Sequence, residues 1–295
     1  MSDTIEQHHV VKFANTVMLN AQQKESRLFN TVLHEEMAKN AASFDRLGLT
    51  ELVAKTTRHS DSPYNAVPHN RRWAVPTPFE GGDLIDKTDK SRMIHLMEGK
   101  YAEAFAAAAG RKIDDIIIAA ISAAAIYGEN VGTDTQAFDS DNQIDKGYVY
   151  PTATSVTSGL TIDKLIHAKY LLDVGEVPQE DRYLVHGAKQ LQDLLSTDEI
   201  SSSDYNAVKA LVRGEVDTFL GFRFIESQRL AVASSVRTVL AFQKSGVGLA
   251  IASNPEVNVA KRPDKSFSWY IHMLLDMGAV RIEESKCVEI ECSEA

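Results

Sequence analysis

The chain has 295 residues, 44% hydrophobic and 24% charged, the make-up of a folded protein rather than a disordered one, and it is long enough for one large domain or two modest ones. Its 31 Lys and Arg residues against 41 Asp and Glu leave a net charge of −10. A net anion repels phosphate backbones, which excludes a tight, sequence-reading nucleic-acid binder but not a surface that sits beside DNA.

Cys287 and Cys292 are the only cysteines, too few for a tetrahedral zinc site or a disulfide framework. On one strand their odd spacing sends them to opposite faces, so no bridge between them is expected and the pair fits a reducing compartment. The opening MSDTIEQHHVVKF lacks the basic start and apolar core of a signal peptide, and the longest apolar run, 116–127, is too short to span a bilayer. The expectation is an intracellular, soluble chain with no membrane partner.

Residues 20–47 predict an amphipathic helix, with Leu28, Phe29, Val32, Leu33 and Met37 at three- and four-residue steps and Gly48 placed to end it. Residues 51–95 change character, with Pro63, Pro68, Pro76 and Pro78 and the pair Gly81-Gly82. A long stretch without a core of its own usually marks function or disorder. Within it, Trp73, Val75 and Phe79 alternate as in a strand. Pro76 and Pro78 remove N–H groups from one edge only, which predicts an edge strand of a projecting hairpin.

Residues 97–127 give the strongest helical signal, rich in Ala, with Ile113, Ile116, Ile117 and Ile121 in register. Arg111 and Asp115 are placed for an i,i+4 pair; Gly110 costs about 1 kcal/mol and is a candidate bend or break, and the stretch is read as one long helix. Gly128 to Tyr150 reads as polar loop. Residues 161–210 look helical, with a cap at Ser203-Asp204. Between Gly214 and Gly221 the pattern turns strand-like over 219–225. Residues 236–242 predict a strand, and 245–252 a strand or short helix. At the C-terminus, 267–276 alternates as a long strand, Asp276-Met277-Gly278 is read as a turn, and 280–292 continues as an antiparallel meander with a polar face. Helices early and sheet late predict an α+β fold.

The search for chemistry finds little. There is no phosphate loop, and Gly246-Val247-Gly248 lacks the third glycine of a dinucleotide fingerprint. His34-Glu35-Glu36 is not followed by the second histidine of a zinc protease. Asp139, Asp141 and Asp145 resemble a calcium loop, but Ile144 stands where glycine is required, so a solvated acidic loop is favoured. Asp163 and His167 share a helix face, two ligands without a third, and are read as a surface pair. Asp114-Asp115 point about 100° apart on a helix, which suits solvation or capping rather than acid–base work. No catalytic, cofactor-binding or metal-binding set emerges, so neither enzymatic activity nor a cofactor is expected. Arg71-Arg72 beside Trp73 could clamp a nucleic acid by charge and stacking. On an acidic chain such a cluster more often bridges to carboxylates of a protein partner. Arg71, Arg72, Trp73 and Phe79 are therefore the candidate subunit-interface residues, and replacing both arginines by Glu is expected to weaken association and leave the subunit folded.

Three stretches in order carry a likeness. They are 107–120 (AAAGRKIDDIIIAA), then Arg213-Gly214-Glu215-Val216 with 220–224 (LGFRF), then 241–250 (AFQKSGVGLA) with 277–281 (MGAVR). With a terminal arm and a projecting hairpin before them, the chain resembles the major capsid proteins of tailed bacteriophages, the Hong-Kong-97-like fold, and most of all those of short-tailed phages. The resemblance implies an N-terminal arm over 1–50 and an extended E-loop over 51–96. It implies a peripheral domain with a spine helix from 97–152 and 246–295, and an axial domain over 153–245.

It further implies pentamers and hexamers closing into an icosahedral shell around double-stranded DNA held by weak contact. Expected partners are other copies of the chain, a portal, a decoration protein and, because the arm is short, a separate scaffolding protein. The place of action would be the virion, with host cytoplasm during assembly. Lys87 and Lys90 lie where some relatives cross-link, but no motif marks either. A cargo-enclosing encapsulin-like shell and a cytosolic enzyme with a divided site remain as alternatives.

Overall fold

The computed structural model describes residues 22–37, 41–59, 62, 64–86, 98–132, 134–150, 157–196 and 218–294. In chain order the strands are β1 (Leu33–Glu36), β2 (Ala42–Leu47), β3 (His69–Ala74), β4 (Thr77–Ile85), β5 (Ala125–Tyr127), β6 (Asp134–Gln136), β7 (Gln143–Ile144), β8 (Arg182–His186), β9 (Thr218–Phe219), β10 (Phe222–Glu226), β11 (Val232–Ala233), β12 (Val236–Gln243), β13 (Val247–Arg262), β14 (Ser268–Arg281) and β15 (Cys287–Ser293). The α-helices among the described residues are α1 (Glu98–Ser122), α2 (Ile162–Val174) and α3 (Ala188–Ser196). The fold is α+β, and no described helix is long and apolar enough to cross a membrane.

Three sheets divide the strands. One runs β7-β15-β12-β8-β10-β9, with β11 also on β12; a second runs β1-β13-β14-β4; the third runs β2-β3-β5-β6. All of β8 is buried, and Leu240, Ala241 and Phe242 of β12 are fully enclosed, as expected of strands covered on both faces. Helix α1 packs against β13 and β14. Its Ile113, Ile117, Ile118 and Ile121 enter the same core as Leu249, Leu275 and Met277.

The reading of 20–47 as a helix is corrected: it holds a 3-10 turn, Phe29–Thr31, followed by β1 and β2. Leu28 and Val32 do reach the core, but a different set of hydrogen bonds wins. The buried carboxylate of Asp114 on α1 accepts the backbone N–H of Arg27 and of Leu28, at 3.2 and 3.1 Å, and the Ser26 hydroxyl at 2.5 Å. Downstream, β1 pairs in parallel with β13, from Leu33 opposite Gly248 to Glu36 opposite Ile251. Gly48 does not cap a helix; its N–H donates to the Pro68 carbonyl.

Helix α1 forms as one long helix, as expected, and is continuous through Gly110. A Cβ there would lie 2.8 Å from the backbone nitrogen of Ser26 and 2.9 Å from the carbonyl carbon of Glu25. The glycine admits a crossing backbone. Arg111 and Asp115 reach away from each other: Arg111 donates to the Gln22 side chain and the Gln23 carbonyl, and Asp115 accepts from Arg229.

Two C-terminal expectations are also corrected. Strand β14 runs through Met277-Gly278 without turning, and Gly278 sits opposite Ala250 in the ladder. Its missing side chain makes room for the backbone of Val75 and Pro76, the latter's Cα lying 2.8 Å from where a Cβ would be. Nor is there a meander, because β15 leaves β14 and pairs with β12 in the seven-stranded sheet. Sheet membership therefore cuts across the expected border at 246: β13 and β14 lie on α1, whereas β15 lies with β8, β10 and β12. The polar stretch 128–150 holds β6, β7 and a 3-10 turn at Ser140–Asn142, and 245–252 is a 3-10 turn leading into β13. Lys87, Lys90, Pro63, Ser203-Asp204 and Gly214 lie outside the described residues.

Both cysteines are free and buried, Cys287 and Cys292 facing opposite sides of β15. Burial pushes each thiol up to about 12, so the reactive thiolate is suppressed. The folded value exceeds the ordinary 9.0, so the thiols stabilise the fold fully below about pH 9 and lose that contribution as pH rises towards 12. A thiol reagent at pH 8 is expected to leave both unmodified in the native protein and to label both after denaturation; rapid native labelling would contradict this burial. Gly110→Ala adds helix propensity of about 1 kcal/mol, yet overpacking of this kind costs about 1–3 kcal/mol. Its thermal midpoint is expected to fall, and a rise would show that the 25–26 segment yields.

Candidate interaction site

Strands β2 and β3 pair antiparallel, setting Asp45 opposite Arg71 and Phe44 opposite Arg72. Side chains alternate along β3, so Arg71 and Trp73 leave one face while Arg72 and Ala74 leave the other. The four residues chosen from the sequence thus fall into three environments.

Arg71 lies on the outer face and is 41% exposed. Its Nε and Nη2 donate to Asp45 at 2.5 and 2.9 Å, a bidentate pair, and its guanidinium sits 5.3 Å from the Trp73 ring centre. That hydrogen bond holds the Asp45 carboxyl below its ordinary value. Because both partners are exposed, such a pair contributes only about 0–1 kcal/mol. Trp73 is half-buried and donates its Nε1–H to the Gly128 carbonyl at 2.9 Å. Around these lies a cleft of about 420 Å³ lined by Asp45, Arg46, Arg71, Tyr127 and Glu129 among others, with its cations balanced by its own carboxylates.

Arg72 is turned inward and only 1% exposed, so it is not presented to another molecule. It donates to the Gln136 side chain, lies 3.5 Å from Glu284 and stacks over Tyr127 at 5.4 Å. Arg281, also fully buried, shares Glu284 through its Nε at 2.6 Å. It also donates to the carbonyls of Ile121 and Ala123, which end α1, and stacks over Phe138. Those carbonyls have no helical partner and form the negative end of the helix dipole, so a guanidinium there satisfies both needs. Burial first, then the charge of Arg46, lowers the Arg72 pKa.

Phe79 is not part of this cluster. Strand β4 belongs to the second sheet, paired with β14 so that Phe79 meets Leu275. Its ring takes the Lys112 ammonium at 4.1 Å, beside a groove of about 280 Å³ shared with Phe105, Ala108 and Met273. The single edge strand read over 72–79 is corrected: β3 ends at Ala74 and lies between β2 and β5, and only β4, from Thr77, is the edge of a sheet. Its partner is β14, however, and not the other arm of a local hairpin. Leu84, whose N–H points the same way as the missing one of Pro78, has that N–H taken by the Asp83 side chain at 2.8 Å. Together β13, β14 and β4 make a long ribbon, about 45 Å for the 14 residues of β14. It carries the exposed apolar residues Leu84, Val259, Phe267 and Leu274.

Sequence reasoning missed Lys164, Arg281 and Glu284, and its solvated reading of Asp114 is corrected, since that carboxylate is fully buried. The Lys164 ammonium is fully buried and donates to four carbonyls, of Lys146, Ser158, Gly159 and Glu291, at 2.8–3.0 Å. Nothing local in the sequence signals such a cage, because its acceptors are backbone atoms. Among the described residues no group of three His, Cys, Asp or Glu side chains converges as a metal site. Asp139 and Asp145 serve local turns, accepting from the N–H of Asp141 and of Gly147.

The family model for phage capsid proteins (Phage_capsid_2) matches residues 5–294. No curated protein matches the chain. Among solved structures, the capsid of cyanophage P-SCSP1u is 16% identical with a TM-score of 0.74, covering 100% of this chain and 96% of that one. The capsid of Ralstonia phage GP4 is 9% identical with a TM-score of 0.74, covering 96% and 94%. The capsid asymmetric unit of cyanophage Pam1 is 14% identical with a TM-score of 0.69, covering 96% of each chain. At these identities the likeness shows the fold alone.

Replacing both arginines no longer tests association cleanly. Arg71→Glu is expected to change subunit stability by less than about 1 kcal/mol. Arg72→Glu buries a carboxylate beside Glu284 and is expected to cost at least about 3 kcal/mol, read by denaturant unfolding. Equal stability of the two variants would refute this inward placement of Arg72.

Proposed function

Because the chain belongs to the phage capsid protein family, matched over residues 5–294, we propose that it builds an icosahedral shell through pentamers and hexamers around double-stranded DNA. The whole-chain family match carries this reading. The ribbon of β13, β14 and β4 supports it, since an extended sheet with exposed Leu84, Val259, Phe267 and Leu274 gains by being covered. In the proposed shell, 51–96 is the loop that reaches over a neighbour. Helix α1 with β13 and β14 is the peripheral part, and the seven-stranded sheet with α2 and α3 is the axial part. By sheet membership the axial part takes in β7 and β15 as well as 153–245.

The net charge of −10 fits a container that touches its genome weakly. A separate scaffolding protein, a portal and a decoration protein complete the proposal, with assembly in the host cytoplasm before the virion forms. In the arrangement of Arg71, Trp73 and Asp45 the carboxylate is taken up by the Arg71 guanidinium, and the pair lies on an exposed face that suits contact between subunits.

Negative-stain electron microscopy of the purified chain, alone and co-expressed with its neighbouring genes, is expected to show uniform shells, tubes or capsomer rings. Nuclease-protected DNA in particles made during infection would mark a genome container. A strictly monomeric particle under every condition would overturn the proposal.

A further inference from the structure

We propose that the aromatic cleft on the outer face of α2 receives a cationic side chain, lysine or arginine, from a second copy of this chain. Helix α2 faces inward through Leu165, Ala168 and Leu172, all fully buried. The opposite face of such a helix is ordinarily polar. Here it presents Ile166, Tyr170 and Val174, exposed by 52%, 59% and 63% and spaced by four residues, so they form one stripe. Beside the stripe the Tyr148 ring stacks on His167 at 4.2 Å, and His167 on Tyr170 at 5.8 Å. With Tyr150 and Asp163 they enclose a cavity of about 590 Å³.

Among the described lining residues Asp163 is the one carboxylate. Burial lowers the His167 pKa, which keeps the imidazole neutral, and burial followed by the Asp163 charge raises that of Tyr148. The Asp163 carboxylate has no hydrogen bond or ion pair among the described residues. Aromatic faces attract a cation within about 6 Å, and an adjacent carboxylate supplies the countercharge. The cleft therefore selects a guanidinium or ammonium and rejects phosphate. The same chemistry recurs within the chain, where Lys261 lies over Trp269 and Arg262 over Tyr270.

A second copy is the occupant because, in the shell reading on which this inference rests, copies of the chain border each subunit laterally. An apolar stripe around one desolvated ion pair also has the make-up of an interface centre.

The test compares the unaltered chain with Asp163→Asn, Tyr170→Ala and Tyr170→Phe, by shell yield in light scattering and by self-association in sedimentation equilibrium. These side chains are not core residues, so thermal midpoints are expected to stay level and serve as the folding control. Asp163→Asn and Tyr170→Ala are expected to weaken self-association and shell yield at least about fivefold, while Tyr170→Phe keeps the ring and the yield. Wild-type behaviour of both disruptive variants overturns the proposal. So do shells of normal yield that fail only to take up a different protein. An unaltered chain that self-associates through Asp163 but never closes a shell overturns the shell reading alone; one that stays monomeric at every concentration overturns both.

Discussion

The structure depends on what happens to helix α1 along its length and at its end. A carboxylate in mid-helix, Asp114, is fully buried and, among the described residues, makes no direct ion pair. It is kept in place by donors from the segment before β1: the Gln23 amide at 2.5 Å, the Ser26 hydroxyl and two backbone N–H groups. A buried charge left unpaired is costly, so these donors are held as firmly as the charge that needs them. One turn earlier, Gly110 lets that segment lie directly on the helix backbone. At the far end the buried Arg281 guanidinium closes the helix and joins β14 to Glu284 and Arg72. One helix thereby fixes the start of the described chain, the third sheet and the end of β14 in a single frame.

Much of this frame was legible because it rests on periodicity. The isoleucines of α1 recur at helical spacing and are the residues that enter the core, and β12 and β14 read as strands from alternation and β-branching. The family likeness was legible from the order of segments, and the family model confirms it. What failed depended on partners distant in sequence. Leu28 and Val32 have helical spacing, yet the fold uses the same two residues as plugs on either side of a 3-10 turn, because Asp114, 86 residues away from Leu28, captures the amides. A local window offers only a candidate bend for Gly110 and a turn for Gly278, the two local meanings of glycine. Both instead mark a close approach by another strand of backbone, which no local window contains. Arg71 and Arg72 are neighbours in sequence but opposites in environment, and strand alternation around a correctly predicted strand could have separated them.

Among the described residues four cations are buried; Arg182 pairs with Asp173 at 2.7 Å, and the other three share a different logic. Lys164, Arg72 and Arg281 are each enclosed, and their partners are largely carbonyls, an amide and aromatic faces rather than one carboxylate apiece. Such cages hold loops and strand ends that have few apolar contacts of their own. The Lys164 ammonium ties the loop at Lys146, the turn before α2 and the end of β15 to one point. The Lys164 cage favours one geometry, since moving any acceptor leaves a desolvated charge under-satisfied, whereas the Nε and Nη1 of Arg72 are buried without a hydrogen-bond partner among the described residues.

A rigid frame and an adhesive surface make opposite demands on charge, and the chain separates them in space. Buried cations are spent inside the subunit, while Arg71, Arg229 and Arg262 are matched at the surface by Asp45, Asp115 and Asp264. Those surface pairs are weak and screened by salt, so they prevent stray attraction more than they bind. Apart from these pairs lie exposed apolar groups: the ribbon residues Leu84, Val259 and Leu274, and the stripe Ile166, Tyr170 and Val174 on α2. Contacts made by such surfaces strengthen with area and respond little to ionic strength. An acidic subunit can thus repel its own kind at long range and still hold it at contact, which favours slow, correctable addition over rapid aggregation when many copies must find one closed arrangement.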